Sequence, residues 1–344
     1  MNPNKQNPDF LHIGELLTAW IHENGRDLPF RKTQDPYLIW ICEIIFQQTR
    51  IEQGMQHYTE FVKRFPDVAT LADADSDEVL LYWKGLGYYS RAINIHHAAK
   101  QIMTDFAGKF PSEYSDMLKL KGIGKYTAAA VSSISFGKKI PAVDGNFYRV
   151  LSRVFADDFD ISGPKAFEHF SERALKMMPD DQPGIFNEAV MDLGSVICKP
   201  RNPICGICPL NAVCKAYLEA TVHEFPVKTA KTKVVELKLH YYYICHQNWF
   251  LVRKRGSNDI WKNLFEFPSD LIPSPLVEFI DRSIIKHKLT HRNLDITIDR
   301  FEFTDMNDFL QYAAVHYLEV LDYENSKLKS FPKPLENFIE KQFV

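Results

Sequence analysis

The stretch "CKPRNPICGICPLNAVC" places Cys198, Cys205, Cys208 and Cys214 in one short loop, and this constrains the chain more than any other feature. Four thiolates at Cys-x6-Cys-x2-Cys-x5-Cys spacing can ligate a tetrahedral zinc or an iron–sulfur cluster, or pair as two disulfides. Nothing suggests export to an oxidising compartment, and a helical domain of this size does not need disulfides. Zinc ribbons usually set two close knuckles far apart in sequence. Here only Cys205 and Cys208 are closely spaced and the outer two wrap around them, which favours a larger cluster. The loop between the outer cysteines holds no acid, and Lys199, Arg201 and Lys215 are basic, as expected of a solvated loop or of one pressed against phosphate. Cys42 and Cys245 each stand alone in an apolar segment and read as small core residues.

Residues 10–225 read as helical throughout, an all-α assembly of short helices broken at "RFPD", "GKFPSEY", "DISGP" and "MMPDDQPG". After a connector at 226–234, which carries Lys228, Lys231 and Lys233, the texture changes. "VVELKLHYYYIC" and "NWFLVRKRG" read as strands joined by a turn at "HQN", "LDITIDRFEF" as a further strand and "SPLVEFIDRSII" as a helix. Residues 235–344 are therefore expected to form an α+β domain, in keeping with a length of 344 residues, and 1–9 a mobile tail. No run is long and apolar enough to span a membrane, and the first residues do not form a secretory signal. A net charge of −3 excludes a general polyanion binder, so any nucleic-acid surface must be local.

Three motifs carry chemistry. In "LKGIGKYTAAAVSSISFG", Gly122 and Gly124 permit a tight turn whose N–H groups face an anion at the start of a helix opened by Thr127. Leu120 and Ile123 anchor that turn, and the whole reads as a helix–hairpin–helix, which grips phosphate without reading sequence. In "WICEIIFQQT", Glu43 is a carboxylate among Trp40, Ile44, Ile45 and Phe46, where desolvation should raise its pKa. By helical geometry Gln47 lies along the face of Glu43 and Gln48 is rotated away from it. In "IPAVDGNFYRVLSRV", Asp144 and Asn146 sit where a helix N-cap belongs, and the helix terminus should keep Asp144 ionised with a lowered pKa. A proton donor beside an ionised carboxylate is the arrangement that cleaves glycosidic bonds through an oxocarbenium-like transition state.

These motifs, with "GLGYYSRA" and "FNEAVMDLGSVIC", occur in an order that resembles the adenine DNA glycosylase family of the helix–hairpin–helix superfamily; the match spans residues 20–214. The resemblance implies a mainly α domain holding a [4Fe-4S] cluster on the four cysteines, followed by a Nudix-like domain. It implies excision of adenine mispaired with 8-oxoguanine or guanine in double-stranded DNA. Glu43 would protonate the adenine, Asp144 would stabilise the oxocarbenium ion, and Tyr126 and Asn146 would support them. Arg26, Arg31 and Glu188 would line the adenine pocket. Gln48 and Tyr88 would fill the duplex, Thr49 and Leu86 would lie near 8-oxoguanine, and Gly122 and Gly124 would hold the backbone. Thr290 and His291 would inspect 8-oxoguanine from the second domain. A bacterial-type cytoplasmic monomer, on the nucleoid when acting and without membrane association, is the expected setting.

Departures from the family pattern sharpen these expectations. Related endonuclease-III-type enzymes form a Schiff base through a lysine; the aligned residue here is Tyr126, and Lys125 is one position early, rotated by about 100° on a helix. A monofunctional glycosylase is therefore expected. The family's usual "LPWR" is "LPFR" with Phe30, and its Phe-Ser-His inspection loop is Leu289, Thr290 and His291, which keeps a hydroxyl and an imidazole but loses a ring. The catalytic Nudix glutamates are absent from 235–344, so that domain is expected to recognise rather than hydrolyse. The competing readings are a related glycosylase/lyase with another target base and a non-catalytic duplex-binding module.

Overall fold

The computed structural model describes residues 9–230, 234–256, 260–270 and 276–343. It divides into two compact units, one of residues 1–73 and 97–230 and one of residues 74–96 and 231–344. Of the expected tail only Asp9 is described, and Lys231 and Lys233 of the connector lie outside the described residues.

The first unit is helical. The helices that build its site are α1 (Phe10–Asn24), α2 (Pro36–Ile45), α3 (Lys125–Phe136), α4 (Gly145–Phe155), α5 (Ala166–Met177) and α6 (Pro183–Val196). Each has a local reason to start where it does. Asp9 caps α1 by accepting from the His12 N–H, and Asp35 caps α2 by accepting from the Tyr37 N–H, with Pro36 in the first turn. The core is made where the apolar faces of α1, α4, α5 and α6 meet, around Leu17, Phe147, Leu151, Phe170, Phe186 and Val190. Ala129 and Ala130 of α3 are fully buried, and these small side chains let α2 and α3 run close together. Among the described residues no helix is long and apolar enough to cross a membrane.

The second unit is built on a six-stranded sheet of order β3-β2-β1-β5-β4, with β6 beside β2. Its strands are β1 (Val235–His246), β2 (Trp249–Lys254), β3 (Phe265–Glu266), β4 (Val277–Lys288), β5 (Arg292–Phe303) and β6 (Glu319–Leu321). β1 and β5 run parallel over their length, and β4 is antiparallel to β5. Alternation puts Tyr241 and Tyr243 on one face, packed with Leu335, Phe338 and Ile339 of α8 (Lys333–Gln342). Ile244 faces the other way, with Phe309 and Tyr312 of α7 (Met306–Val315). Helices thus cover both faces, giving an α+β architecture. The segment expected as a helix, "SPLVEFIDRSII", is instead the start of β4 from Val277 on, with Ser274 and Pro275 outside the described residues. A register shift between Phe279 and Asp281 disturbs its alternation, and pairing with β5 decides its state.

Residues 74–96 associate with this sheet unit. Lys84 pairs with Glu336 of α8 at 2.7 Å, Asp77 pairs with Lys254 of β2, and the Tyr88 hydroxyl meets Thr290.

Candidate functional site

A pocket of about 470 Å³ opens in the first unit, lined among others by Glu43, Tyr126, Asp144, Asn146 and Glu188. Glu43 stands in the last turn of α2. Tyr126, second residue of α3, donates its hydroxyl to Glu43 Oε2 at 2.5 Å and also lies 3.1 Å from Met191 Sδ. Burial pushes the Glu43 carboxyl up to about 7; the Tyr126 bond opposes this, while the negative charges of Asp144 and Glu188 add to it. This is the elevated, proton-retaining carboxyl expected from its apolar neighbours.

Asp144 is the N-cap of α4. Its Oδ1 accepts from the Asn146 and Phe147 N–H groups at 2.8 and 2.9 Å, and its Oδ2 accepts from Asn146 Nδ2 at 2.7 Å. The expectation of a lowered pKa does not hold. Burial raises the Asp144 carboxyl above its ordinary value, although the hydrogen bonds from Phe147 and Asn146 oppose it. Asn146 is itself fixed: its Oδ1 accepts from Arg149 Nη2 at 2.8 Å, and a Cβ on Gly194 would stand 2.6 Å from Asn146 Cβ. Only glycine at 194 lets α6 come this close to the start of α4.

Arg26 and Arg31 converge on Asp192 of α6, which the sequence pattern did not single out. Arg31 donates two parallel bonds, Nη1 to Oδ2 at 2.5 Å and Nη2 to Oδ1 at 2.7 Å, and Arg26 Nε reaches Oδ1 at 2.9 Å. Burial works against an ionised Asp192, but the two guanidiniums hold its carboxyl below the usual range. Glu188 lies 3.7 Å from Arg31 Nε, and burial raises it to about 7 against the pull of Arg31. Glu43 and Glu188 of the pocket thus hold their protons to about 7, whereas Asp192, paired with Arg26 and Arg31, stays ionised.

The hairpin follows the expected plan. Gly122 adopts φ +80°, a left-handed conformation that suits glycine, and Leu120 and Ile123 are buried beneath it. The helix opens earlier than expected, at Lys125 with Gly124 as N-cap, so Tyr126 and Thr127 lie in its first turn. Lys125 points away from the pocket, pairing with Glu168 of α5 at 2.8 Å over the Phe167 ring.

Gln48 departs from its expected placement. α2 ends at Ile45, and Gln48 lies in the following turn, exposed and with φ +58°, so its direction is set by the turn and not by helical rotation. Gln47 Nε2 donates to Thr127 Oγ1 at 3.1 Å, and Thr49 joins the pocket lining. Phe30, in place of the family's indole, sets its ring tilted against Phe46 and edge-on to Tyr58, at centroid distances of 5.1 and 5.7 Å.

All six cysteines are free, and Cys198, Cys205, Cys208 and Cys214 line one pocket against Val150, Val154, Leu193 and Ile197. Burial pushes Cys208 up to about 12 and Cys214 up to about 11, and the neighbouring thiols add to both shifts. Thiols so crowded and desolvated fit a positively charged centre that holds them as thiolates. Arg153 lies beside them, with Nη1 at 3.4 Å from Cys198 Sγ, and Arg149 Nε donates to the Cys198 carbonyl at 2.6 Å. Arg149 therefore bridges the cysteine loop and Asn146, a second connection missed in the sequence.

In the second unit, Leu86, Tyr88, Thr290 and His291 line a cleft of about 660 Å³ together with Trp261 and Leu289. The structure thus gathers four expected contact residues, distant in sequence, onto one surface.

Residues 41–176 match the HhH-GPD superfamily of base excision DNA repair proteins, and residues 198–214 match the iron–sulfur binding domain of endonuclease III. The four cysteines hold a [4Fe-4S] cluster, and iron analysis of the purified protein should return about four irons per chain. The chain is 32% identical over 341 residues to the adenine DNA glycosylase of Buchnera aphidicola subsp. Schizaphis graminum, covering 95% of this chain and 98% of that one. The adenine DNA glycosylase of Buchnera aphidicola subsp. Baizongia pistaciae is 35% identical over 296 residues, covering 82% of this chain and 84% of that one. A solved thermostable thymine-DNA glycosylase superposes with a TM-score of 0.56 at 28% identity, covering 61% of this chain and 97% of its own. With its carboxyl-lined pocket, hairpin and cluster loop, this chain belongs to the adenine DNA glycosylase family, the enzymes that excise adenine from DNA in base excision repair.

Proposed function

We propose that this protein excises adenine paired with 8-oxoguanine or guanine from duplex DNA, and that it acts as a monofunctional glycosylase. The observation that carries the reading is Glu43, a carboxyl that keeps its proton to about 7 in the pocket it shares with Asp144. The adenine must first leave the base stack, at a cost of roughly a few kcal/mol, because no acid reaches its N7 inside the duplex. Glu43 then donates its proton to N7, the bond from N9 to the sugar breaks, and the electron pair leaves with the adenine. Asp144 stabilises the cationic sugar, by charge or through a transient covalent bond, and water completes the abasic site. Tyr126 orients Glu43, Asn146 orients Asp144, and Arg26, Arg31 and Glu188 bound the space taken by the base.

Around this centre, Gln48 and Tyr88 fill the gap left in the duplex, with Thr49 and Leu86 beside 8-oxoguanine. Gly122 and Gly124 grip phosphate, and the cluster, when bound, holds its four thiolates as one firm loop bearing Lys199, Arg201 and Lys215. Residues 10–225 form the catalytic domain, 226–234 the connector, and 235–344 a Nudix-like domain in which Thr290 and His291 inspect the lesion. The protein acts as a monomer. The pairing of Lys125 with Glu168 supports the monofunctional route, because the lysine next to Tyr126 in sequence is engaged outside the pocket.

Incubation with A:8-oxoguanine and A:G duplexes should release adenine from both and leave strands that break only after alkali. Breakage without alkali, with a borohydride-trapped adduct, would instead show a glycosylase/lyase. Duplex binding with no base release would show a binding module.

A further inference from the structure

The cleft in the second unit is walled by segments from residues 86–90, 260–262, 287–292 and 332–333, all belonging to that unit. On one side stands the inspection segment, where Leu289 contributes no ring. Trp261 also lines this cleft, half-buried, with part of its side chain packed on the sheet core beside Ile260 and Leu289.

The backbone at Trp261 has φ +58°, an uncommon conformation for a bulky side chain that persists only where its surroundings impose it. Those surroundings are explicit. Arg255 Nε donates to the Ile260 carbonyl at 2.9 Å, the Leu264 N–H donates to the Trp261 carbonyl at 3.2 Å, and the Arg255 N–H donates to the Leu264 carbonyl at 2.8 Å. The Arg255 guanidinium is anchored in turn by the buried Glu266 and lies 3.0 Å from the Tyr241 hydroxyl. Tyr88, a second large ring on the cleft, is also held in the left-handed region, at φ +47°. The rim carries Lys262, Lys288, Arg292 and Lys333, a cationic border suited to a phosphodiester-linked ligand.

We propose that Trp261 is a specificity-determining residue: its indole is the plate against which the purine opposite the adenine stacks, in place of the ring that Leu289 lacks. This rests on the reading of the cleft as the 8-oxoguanine site. Stacking alone discriminates weakly between 8-oxoguanine and guanine, since every purine offers a π-face. The plate fixes the plane of the base, so that hydrogen bonds from Thr290 and His291 form to the oxidised edge and not to the unmodified one. Without it both purines sit loosely and the differential contacts are lost.

The test compares second-order rates of adenine release from A:8-oxoguanine and A:G duplexes for the full-length holoprotein and its Trp261→Ala, Trp261→Leu and Trp261→Phe variants. Ala and Leu should each lower the A:8-oxoguanine rate by about tenfold or more, and the A:G rate by distinctly less, so that the ratio contracts. Phe should retain a ratio within about threefold of the parent, because it restores a ring. A purely structural role would lower both rates together and leave the ratio intact. An unchanged ratio in Trp261→Ala, or a Leu variant as discriminating as Phe, overturns the proposal and leaves the glycosylase reading standing. A parent protein that releases adenine from neither duplex overturns both.

Discussion

Glu43→Gln should abolish adenine release while leaving affinity for an A:8-oxoguanine duplex nearly unchanged. The substitution keeps the volume and an oxygen to accept the Tyr126 hydroxyl, and removes only the transferable proton. General acid catalysis contributes about 10²–10⁴-fold, so single-turnover release should fall by at least two orders of magnitude. A variant that remained active would show that another group protonates the base.

The same carboxyl sets a pH signature. Its value of about 7 means that release should decline as pH rises through neutrality, when Glu43 loses its proton. Release should decline again at the acid end, below the raised value of Asp144, when the sugar's partner is neutralised. The stability that Glu43 contributes falls in the same direction. The folded-state pKa of Glu43 lies above its unfolded value, so the stability it contributes is full below the unfolded pKa of 4.5 and is lost as pH rises through about 7. Glutamine does not titrate. Glu43→Gln should therefore match the parent at low pH and exceed it by roughly 2–4 kcal/mol in the alkaline range, as read from denaturant unfolding. Lost activity together with gained alkaline stability is the combination expected of a carboxyl kept in an unfavourable setting for its chemistry.

What could be read from the sequence was local. Glu43 stands out because a carboxylate inside an apolar run needs an explanation, and Asp144 because "DGN" is a cap written in three consecutive residues. Asp192 had no such signal: in "AVMDLGSV" it looks like the polar face of a helix. Its meaning comes from Arg31 and Arg26, 161 and 166 residues away, which close on it only in the folded chain. Arg149 is similar, since its carbonyl partners Gly194 and Cys198 lie 45 and 49 residues further on. Gln48 was misplaced because nothing in "IIFQQT" announces that the helix stops at Ile45. The β4 segment was misread for a related reason. Leu276, Val277, Ile280 and Ile284 are spaced as a helix would want them, and only the long register with β5 makes the strand. The grouping of residues 74–96 with the sheet unit depends on side chains such as Lys84 and Tyr88 finding partners more than two hundred residues away. No local propensity encodes that.

Asp144→Asn separates the two roles that Asp144 holds at once. As a cap, Asp144 satisfies the N–H groups of Asn146 and Phe147, and asparagine caps a helix about as well as aspartate. The substituted amide can keep its oxygen toward those two donors. Its nitrogen then faces Asn146 Nδ2, where Oδ2 now accepts, so one hydrogen bond is lost. Asn146 cannot flip its amide to compensate without surrendering its bond from Arg149. The expected stability cost is that of a single hydrogen bond, about 1 kcal/mol, and thermal unfolding should shift by only a few degrees. Removing the negative charge has a far larger effect on chemistry, because the partner of the developing sugar cation is gone from a desolvated pocket where charge is poorly screened. Losing one preorganised electrostatic partner costs about 10²–10³-fold in rate, and more where a covalent intermediate is also forfeited. Adenine release should therefore fall by at least two orders of magnitude in a protein that remains folded and binds its duplex. A variant that stayed active would reduce Asp144 to a cap, and one that unfolded would show that the cap outweighs the chemistry.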